Sequence, residues 1–512
     1  MRRLAKNRSV LAGVILLLVP LIWFAPVVLG GKTLLPADNL YQFQPWASLA
    51  SKAGVDIPHN ELLSDLVLEN YVWKTFLRQA ISQGELPLWN PYLFSGVPFL
   101  AAGQHSALYP LSLVFYALPL PLAYGVFTWL QLAFAGLGMF LFGRALRLGR
   151  AASLFAGLAM MFSGFLVVSV VFSMIIAAAA WLPWLLACIE MIIRKQEDKG
   201  DVPYSPIPYV IGGAVVLGIQ ALAGHPEITV ISLLTAGFYS FVRLLMAGRR
   251  LGALTRPIRL AGWLLVMVIL GVALGAIQLV PLFELVNTSF RQGSASYDQV
   301  VGWAWPARQI ITFLLPDFFG NPTDHSIRDA FTGESIPMEL NFNGELNPFG
   351  AYTTSWGAKN YVEGATYLGI LPLVLAGIGL LGLFHHRGMN TARRAHTWFF
   401  AGLVFFSLAF IFGTPLYALL FYGLPFINQL HTPFRWVFPL ALSVAVLAGF
   451  GSLWLMKRGR KGKIFAAAFW VLIVFEATKT PSGTPIKLRI RKKTTRKAAG
   501  GAVTSQRVRR AL

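Results

Sequence analysis

Apolar runs near 20 residues recur along most of this chain, separated by short polar stretches and interrupted by two long ones, residues 31–107 and 284–365. Runs of that length match the hydrocarbon thickness of a bilayer, and so many of them cannot be hidden inside one soluble domain of this size. The pattern predicts spans over 9–30, 122–143, 150–171, 174–194, 207–223, 227–247, 260–283, 366–384, 397–412, 434–456 and 463–477. The expected fold class is an all-α polytopic membrane protein of about 11 transmembrane helices with two large external loops. The first run follows Arg2, Arg3, Lys6 and Arg8, as a signal peptide would, but it exceeds an ordinary signal core and no small-residue cleavage site follows. It reads as a retained helix.

Composition agrees with that frame: 56% of residues are hydrophobic and only 12% are charged. Lys and Arg collect in Arg2–Arg8, Arg144/Arg147/Arg150, Arg194/Lys195/Lys199, Arg243–Arg259, Arg387/Arg393/Arg394 and Lys457–Lys463, between alternate pairs of spans. The positive-inside rule makes that face cytoplasmic, with the N-terminus on it, and puts both long loops outside. Those loops hold 15 of the 21 acidic residues and are net acidic. The formal charge of +22 owes half its size to residues 477–512, which carry eleven Lys or Arg and no acid. That tail reads as basic and disordered, with no nucleic-acid role expected. The span count would place it outside, against the rule that orients the rest.

The single Cys188 gives no disulfide framework and no thiolate metal site. Phosphate-binding loops, dinucleotide fingerprints and HExxH zinc motifs are missing too, so the templates of soluble enzymes do not apply. Asn287-Thr288-Ser289 is an acceptor sequon that matters only in a glycosylating secretory pathway.

The chemistry is expected in the loops. Asp38 stands just after the first span among amides and aromatics, in Asp38-Asn39-Leu40-Tyr41-Gln42-Phe43-Gln44-Pro45-Trp46, where a carboxylate can meet a lipid headgroup or cap a local turn. Asn60 can cap a helix over 61–83 that stops at Gly84. Leu62, Leu63, Leu66, Val67, Phe76, Leu77 and Ile81 form its apolar face, suited to the membrane surface. Asp65 and Glu69, four apart, are a carboxylate pair or simply a solvated face. From Pro87 to Pro110, rich in Pro, Gly and aromatics, the chain predicts an irregular surface at headgroup depth, with Gln104 and His105 as its polar groups. In the second loop Trp303-Ala304-Trp305-Pro306 and the run 334–356 suit either carbohydrate or a membrane-interface belt.

Several segments together resemble one family. Asp38-Asn39, Pro87-Leu88-Trp89-Asn90-Pro91, Phe94-Ser95-Gly96-Val97-Pro98, Ala223-Gly224-His225-Pro226-Glu227, Leu315-Pro316-Asp317-Phe318-Phe319-Gly320, Tyr367-Leu368-Gly369-Ile370-Leu371-Pro372 and Pro433-Phe434-Arg435-Trp436 occur in the order seen in bacterial YfhO-like membrane proteins. Those proteins belong to the GT-C class of glycosyltransferases, and the resemblance spans about residues 10–456. GT-C enzymes place their major external loops after the first and seventh spans, as the hydropathy does here. The resemblance implies a multi-pass protein of the bacterial cytoplasmic (inner) membrane that moves a sugar from a polyprenyl-phosphate donor to an extracytoplasmic acceptor, such as a cell-envelope glycan. It gives Asp38 the role of catalytic base, with a divalent metal as a possible cofactor. His225 and Glu227, at the junction of spans five and six, would bind sugar hydroxyls or aid the metal, or else form a tight polar turn. Arg435 would hold the lipid phosphate, or snorkel to the headgroups. Gln104 and His105 complete the expected substrate contacts, with a structural role open for His105. Arg291, Arg308 and Lys359 are further phosphate candidates, and His385 and His386 need no functional role.

Two features depart from the family. YfhO-like chains continue into further helices and an external C-terminal domain, whereas residues 477–512 resemble nothing there. A truncated or frameshifted copy would account for both the tail and its topological conflict, and would leave a catalytically inactive membrane protein as one outcome. The rival function, a lipid or solute transporter or flippase, predicts charge in mid-membrane and internal repeats. The expected spans show almost no interior charge, with Glu190, Glu227 and Glu284 near their ends, and no repeat.

Overall fold

A computed structural model describes residues 2–55, 63–199, 205–251, 255–289, 295–316, 318, 326–328, 335–337, 366–384, 391–424, 427–429 and 433–459. The expected span 463–477, the tail 477–512, most of the second loop, and Arg291, Asp317, Lys359, His385 and His386 lie outside those residues. The principal helices are α1 (Arg2–Trp23), α2 (Tyr71–Ser82), α3 (Leu120–Ala145), α4 (Arg150–Met161), α5 (Leu182–Lys199), α6 (Ile207–Leu222), α7 (Pro226–Leu251), α8 (Thr255–Thr288), α9 (Ile370–Leu381), α10 (Thr391–Ile411) and α11 (Val437–Met456). Among the described residues six helices are long and apolar enough to cross a bilayer, and a bent pair, Arg150–Met161 with Gly164–Val171, makes a seventh. Shorter apolar helices at Arg8–Trp23, Ile207–Leu222 and Ile370–Leu381 coincide with three more of the expected spans. The protein is therefore an all-α polytopic membrane protein, its ladder of spans set by hydropathy.

Where the boundaries differ from expectation, local chemistry explains it. The first span stops at Trp23 instead of running to residue 30, because Pro26 starts a separate turn, Ala25–Val28. The third expected span bends by 43° at Phe162-Ser163. There the freed Gly164 amide donates to the Tyr367 carbonyl at 2.6 Å, so a neighbouring segment satisfies the backbone that the break exposes.

The bundle is centred on α11, which is buried over almost its whole length and touches α4, α9 and α10. Close approach there depends on small residues. A Cβ on Gly451 would run into the Leu375 carbonyl, so α9 and α11 meet backbone to backbone. By contrast α8 packs on α6 along one side and turns Leu265, Ile269, Ile277, Val280 and Phe283 outward, as a peripheral lipid-facing helix does.

One group of charges is buried between helices, near the span ends where the sequence placed Glu190 and Arg243. Arg243, placed by the sequence in a cytoplasmic basic run, is buried on α7, and Glu190 is buried on α5. Arg243 donates from Nε to Glu190 at 2.6 Å and from Nη2 to Glu197 at 3.1 Å, while the Tyr239 hydroxyl donates to Glu190 at 2.6 Å. His396 of α10 stands 3.8 Å from the same carboxylate. Both acids come from another helix, which is why no local pattern exposes the network.

Candidate functional site

The first loop begins with a 3-10 turn, Ala37–Gln42, that buries Asp38 and Asn39. Asp38 is only 5% exposed, and the turn packs against the π-turn Leu66–Asn70 that leads into α2. Asn39 accepts a bond from Gln42 at 3.3 Å, fixing the turn locally. Asp65 and Glu69 are both exposed, and Glu69 is held above the usual carboxylate range by burial of part of its surface and by Asp65. That pair is a solvated face.

Helix α2 ends before a left-handed Gly84, as expected, but it begins at Tyr71 after the π-turn, Asn60 with its expected cap lies outside the described residues, and the buried face differs. Ile81 is exposed, while Lys74 is 1% exposed between Asn70 and Leu77. Its ammonium lies 4.2 Å from the Phe115 ring centroid and donates to the His105 carbonyl at 2.5 Å. Burial lowers its pKa to about 7, because the charged form loses its hydration and gains little in exchange.

Residues 99–107 form a strap tied down on three sides. Gln278 of α8 donates to the Leu100 carbonyl at 2.9 Å, Lys74 holds the His105 carbonyl, and Ser106 Oγ donates to the Ala223 carbonyl at 2.7 Å. His105 is the strap's interior pin. Its Nε2 bonds the Phe99 carbonyl at 2.8 Å, its Nδ1 accepts the Ala107 amide at 3.0 Å, and its ring stacks on Phe99 at 4.3 Å. One neutral tautomer satisfies both bonds, and burial lowers the His105 pKa to about 4. Both His105 nitrogens are thus taken within the strap, which is the structural role left open for it.

The strap closes on the turn between α6 and α7. Gly224 has φ +86, and a side chain there would strike the Gly103 carbonyl, so only glycine lets the strap seat. Gln104, half-buried, follows at that contact. His225 then caps α7: its Nδ1 accepts the Ile228 amide at 3.3 Å, Pro226 occupies the first helical position, and Glu227 stands in the positively polarised first turn.

Arg435 reaches this turn from more than 200 residues away. It sits in a 3-10 turn, Pro433–Trp436, whose Phe434 and Trp436 are buried, Trp436 against Phe410. Arg435 Nη1 donates to Glu227 Oε2 and lies 3.0 Å from His225 Nε2. A neutral imidazole has one acceptor nitrogen, so His225 serves Arg435 or the Ile228 amide, not both at once. Burial and the guanidinium hold its pKa well below the ordinary value, keeping it neutral. Tyr417, buried beside Glu227, has its hydroxyl pushed up by burial and by that carboxylate.

Of the residues singled out by sequence, the structure brings His225, Glu227 and Arg435 together, with Gln104 alongside at the strap. Asp38 belongs to a separate element, the buried turn at the start of the same loop. Lys74, Ser106, Gln278 and Tyr417 were missed. Lys74 alone carried a usable signal, a cation centred in an apolar stripe at helical spacing.

Fold and site together define a polytopic helical membrane protein with an acid-held guanidinium at the end of the bundle where its first long loop docks. No family model and no curated protein matches this chain. Among solved structures it is similar to the oligosaccharyltransferase of Archaeoglobus fulgidus in the apo form, at 13% identity and TM-score 0.43, over 93% of this chain and 58% of that one. The complex of that organism's AglB with an inhibitory peptide and a dolichol-phosphate gives 12% identity, TM-score 0.43, and 93% and 56% coverage. ArnT from Cupriavidus metallidurans bound to undecaprenyl phosphate gives 15% identity, TM-score 0.35, and 88% and 79% coverage. The chain spans a little over half the length of the two archaeal structures.

Proposed function

We propose that this protein is a GT-C-type, YfhO-like glycosyltransferase that moves a sugar from a polyprenyl-phosphate donor to an acceptor outside the cytoplasmic membrane, such as a surface glycan. The observation that carries this reading is the convergence of His225, Glu227 and Arg435, from two segments of the YfhO-like motif series, at the loop-bearing end of the bundle. Glu227 fixes the orientation of a planar guanidinium, the side chain best suited to a phosphate by charge and fork geometry. In the proposed reaction an acceptor hydroxyl oxygen attacks the anomeric carbon and its proton passes to Asp38. The bond from that carbon to the lipid-phosphate oxygen breaks, and its electron pair leaves with the phosphate, whose charge Arg435 stabilises. Gln104 would bind sugar hydroxyls at the strap. Among the described residues no group of three His, Cys, Asp or Glu side chains lies together as a metal ligand set, and a divalent metal at Asp38 stays part of the proposal.

The test is sugar transfer from a polyprenyl-phosphate donor in membranes carrying the full chain. Asp38→Asn should lower the rate by about 10²-fold or more with the protein still folded. Unchanged transfer would remove Asp38 from the base role, and no transfer by the parent chain would remove the enzymatic reading. The second reading, a transporter or flippase, draws on the Glu190–Arg243–His396 network inside the bundle. That reading requires lipid or solute movement in proteoliposomes that Arg243→Met abolishes.

A further inference from the structure

Among the described residues of the first loop, the hairpin that precedes the strap is the most exposed apolar feature. Its strands β1 (Trp89–Asn90) and β2 (Val97–Pro98) pair antiparallel, with Trp89 opposite Pro98. Between Leu86 and Phe99 the chain has no charged residue. At the tip Phe94 and Ser95 adopt left-handed backbone, φ 47 and 64, a conformation that side-chain-bearing residues seldom hold without being forced. It turns Phe94 outward to 94% exposure, with Tyr92 at 70% and Leu86, Leu88 and Trp89 also exposed. An aqueous loop gains nothing from a strained tip that presents a phenyl ring to water.

The hairpin's place on the bundle says what covers it. Strand β2 runs directly into the strap that Gln278 holds on α8, and beyond Gln278 the lipid-facing side of α8 continues through Val280 and Phe283. At the helical rise, Phe283 lies about 7 Å farther along the axis than the strap's anchor. The strap into which the hairpin runs is therefore anchored below the last apolar turn of its neighbour. On its other side Tyr92 meets Phe76 of α2, edge to face at 6.0 Å. A sugar would find little to bond here, since Asn90 is buried and its side chain accepts the Tyr92 amide at 3.0 Å. Trp and Tyr, each an apolar body with one polar tip, are the residues of a membrane interface.

We propose that the 86–98 hairpin is a lipid-inserting wedge, its Phe94 tip buried in the leaflet on the loop side of the membrane. The proposal does not depend on which reaction the protein performs. It is tested on the full chain in phospholipid nanodiscs, with Cys188→Ala removing the native thiol and a nitroxide attached at Phe94→Cys or, separately, at Tyr92→Cys. Dissolved oxygen should relax either label several-fold more effectively than an aqueous nickel chelate, while a label at exposed Glu85→Cys should show the reverse. Equal or greater access by the chelate at both tip positions would overturn the proposal by putting the hairpin in water. Labels immobilised and shielded from both agents would overturn it too, because protein and not lipid would then cover the tip.

Discussion

Arg435 is the residue on which the site turns, since its guanidinium joins the α6–α7 turn to the segment leading into α11. Arg435→Met should lower transfer by about 10²–10³-fold, as loss of one stabilising donor does, and Arg435→Lys should recover only part of it because an ammonium cannot reproduce the fork. An equal rate for the Met variant would detach Arg435 from the phosphate. Lys74 makes a prediction about stability. Its pKa is 10.5 when solvated and about 7 when folded, so between those values the unfolded chain binds the proton and the folded chain does not. Stability should therefore rise as pH increases from about 7 toward 10, and below 7 the full penalty of the buried charge is present. Lys74→Met keeps the apolar stem against Phe115 and leaves the His105 carbonyl unpaired, a cost of about 1 kcal/mol that is smaller than that of burying an ammonium. Melting of the purified protein should accordingly be higher in the Met variant at pH 7 and lose its rise between pH 7 and 9. A Met variant that melts lower at pH 7 would show that the hydrogen bond outweighs the charge. The motif series names three residues that the structure brings together, but it missed Lys74, whose burial only tertiary contact with Phe115 and the strap produces.

At the scale of elements, hydropathy read the described spans to within several residues because every crossing segment has to cover the apolar core of the bilayer. What it could not read was which helices carry charge toward one another. Arg243 was counted among cytoplasmic cations, although Glu190 and Glu197, more than 45 positions earlier, bring it inside. Breaking that network one-sidedly should be costly: Arg243→Met leaves Glu190 buried with Tyr239 as its remaining close donor, and about 3–5 kcal/mol of stability should be lost. Adding Glu190→Leu to Arg243→Met should return much of that loss, since an apolar pair needs no counter-charge. A double variant no more stable than the single one would mean that the network stabilises the bundle by more than mutual neutralisation. The α9–α11 contact gives a second case. Gly451→Leu places side-chain atoms where the Leu375 carbonyl lies, so the two helices must separate, and a loss of at least about 1–3 kcal/mol is expected from overpacking alone.

For the whole molecule, the joining of strap, turn and Arg435 at one end of the bundle gives topology a direct bearing on function. The external-loop reading rests on charge bias between spans, and the cluster at 225, 227 and 435 acquires a lipid-linked donor only if that end faces away from the cytoplasm. Two exposed positions separate the alternatives. Glu85 follows α2 on the loop side, and Arg249 lies in the last turn of α7, at the opposite end of that helix from His225. In a Cys188→Ala background, Glu85→Cys should react with a membrane-impermeant maleimide in intact cells, while Arg249→Cys should react only after the membrane is opened. The inverse pattern would place the Arg435 cluster in the cytoplasm, where an extracytoplasmic acceptor could not reach it, and the proposed reaction would fail even with every side-chain contact intact. Protection of both sites until lysis would be equally damaging, because Glu85 stands on the same loop as Asp38 and the strap. Labelling of Glu85→Cys alone is the one outcome in which the side-chain geometry, the acidic loops and the direction of sugar transfer agree.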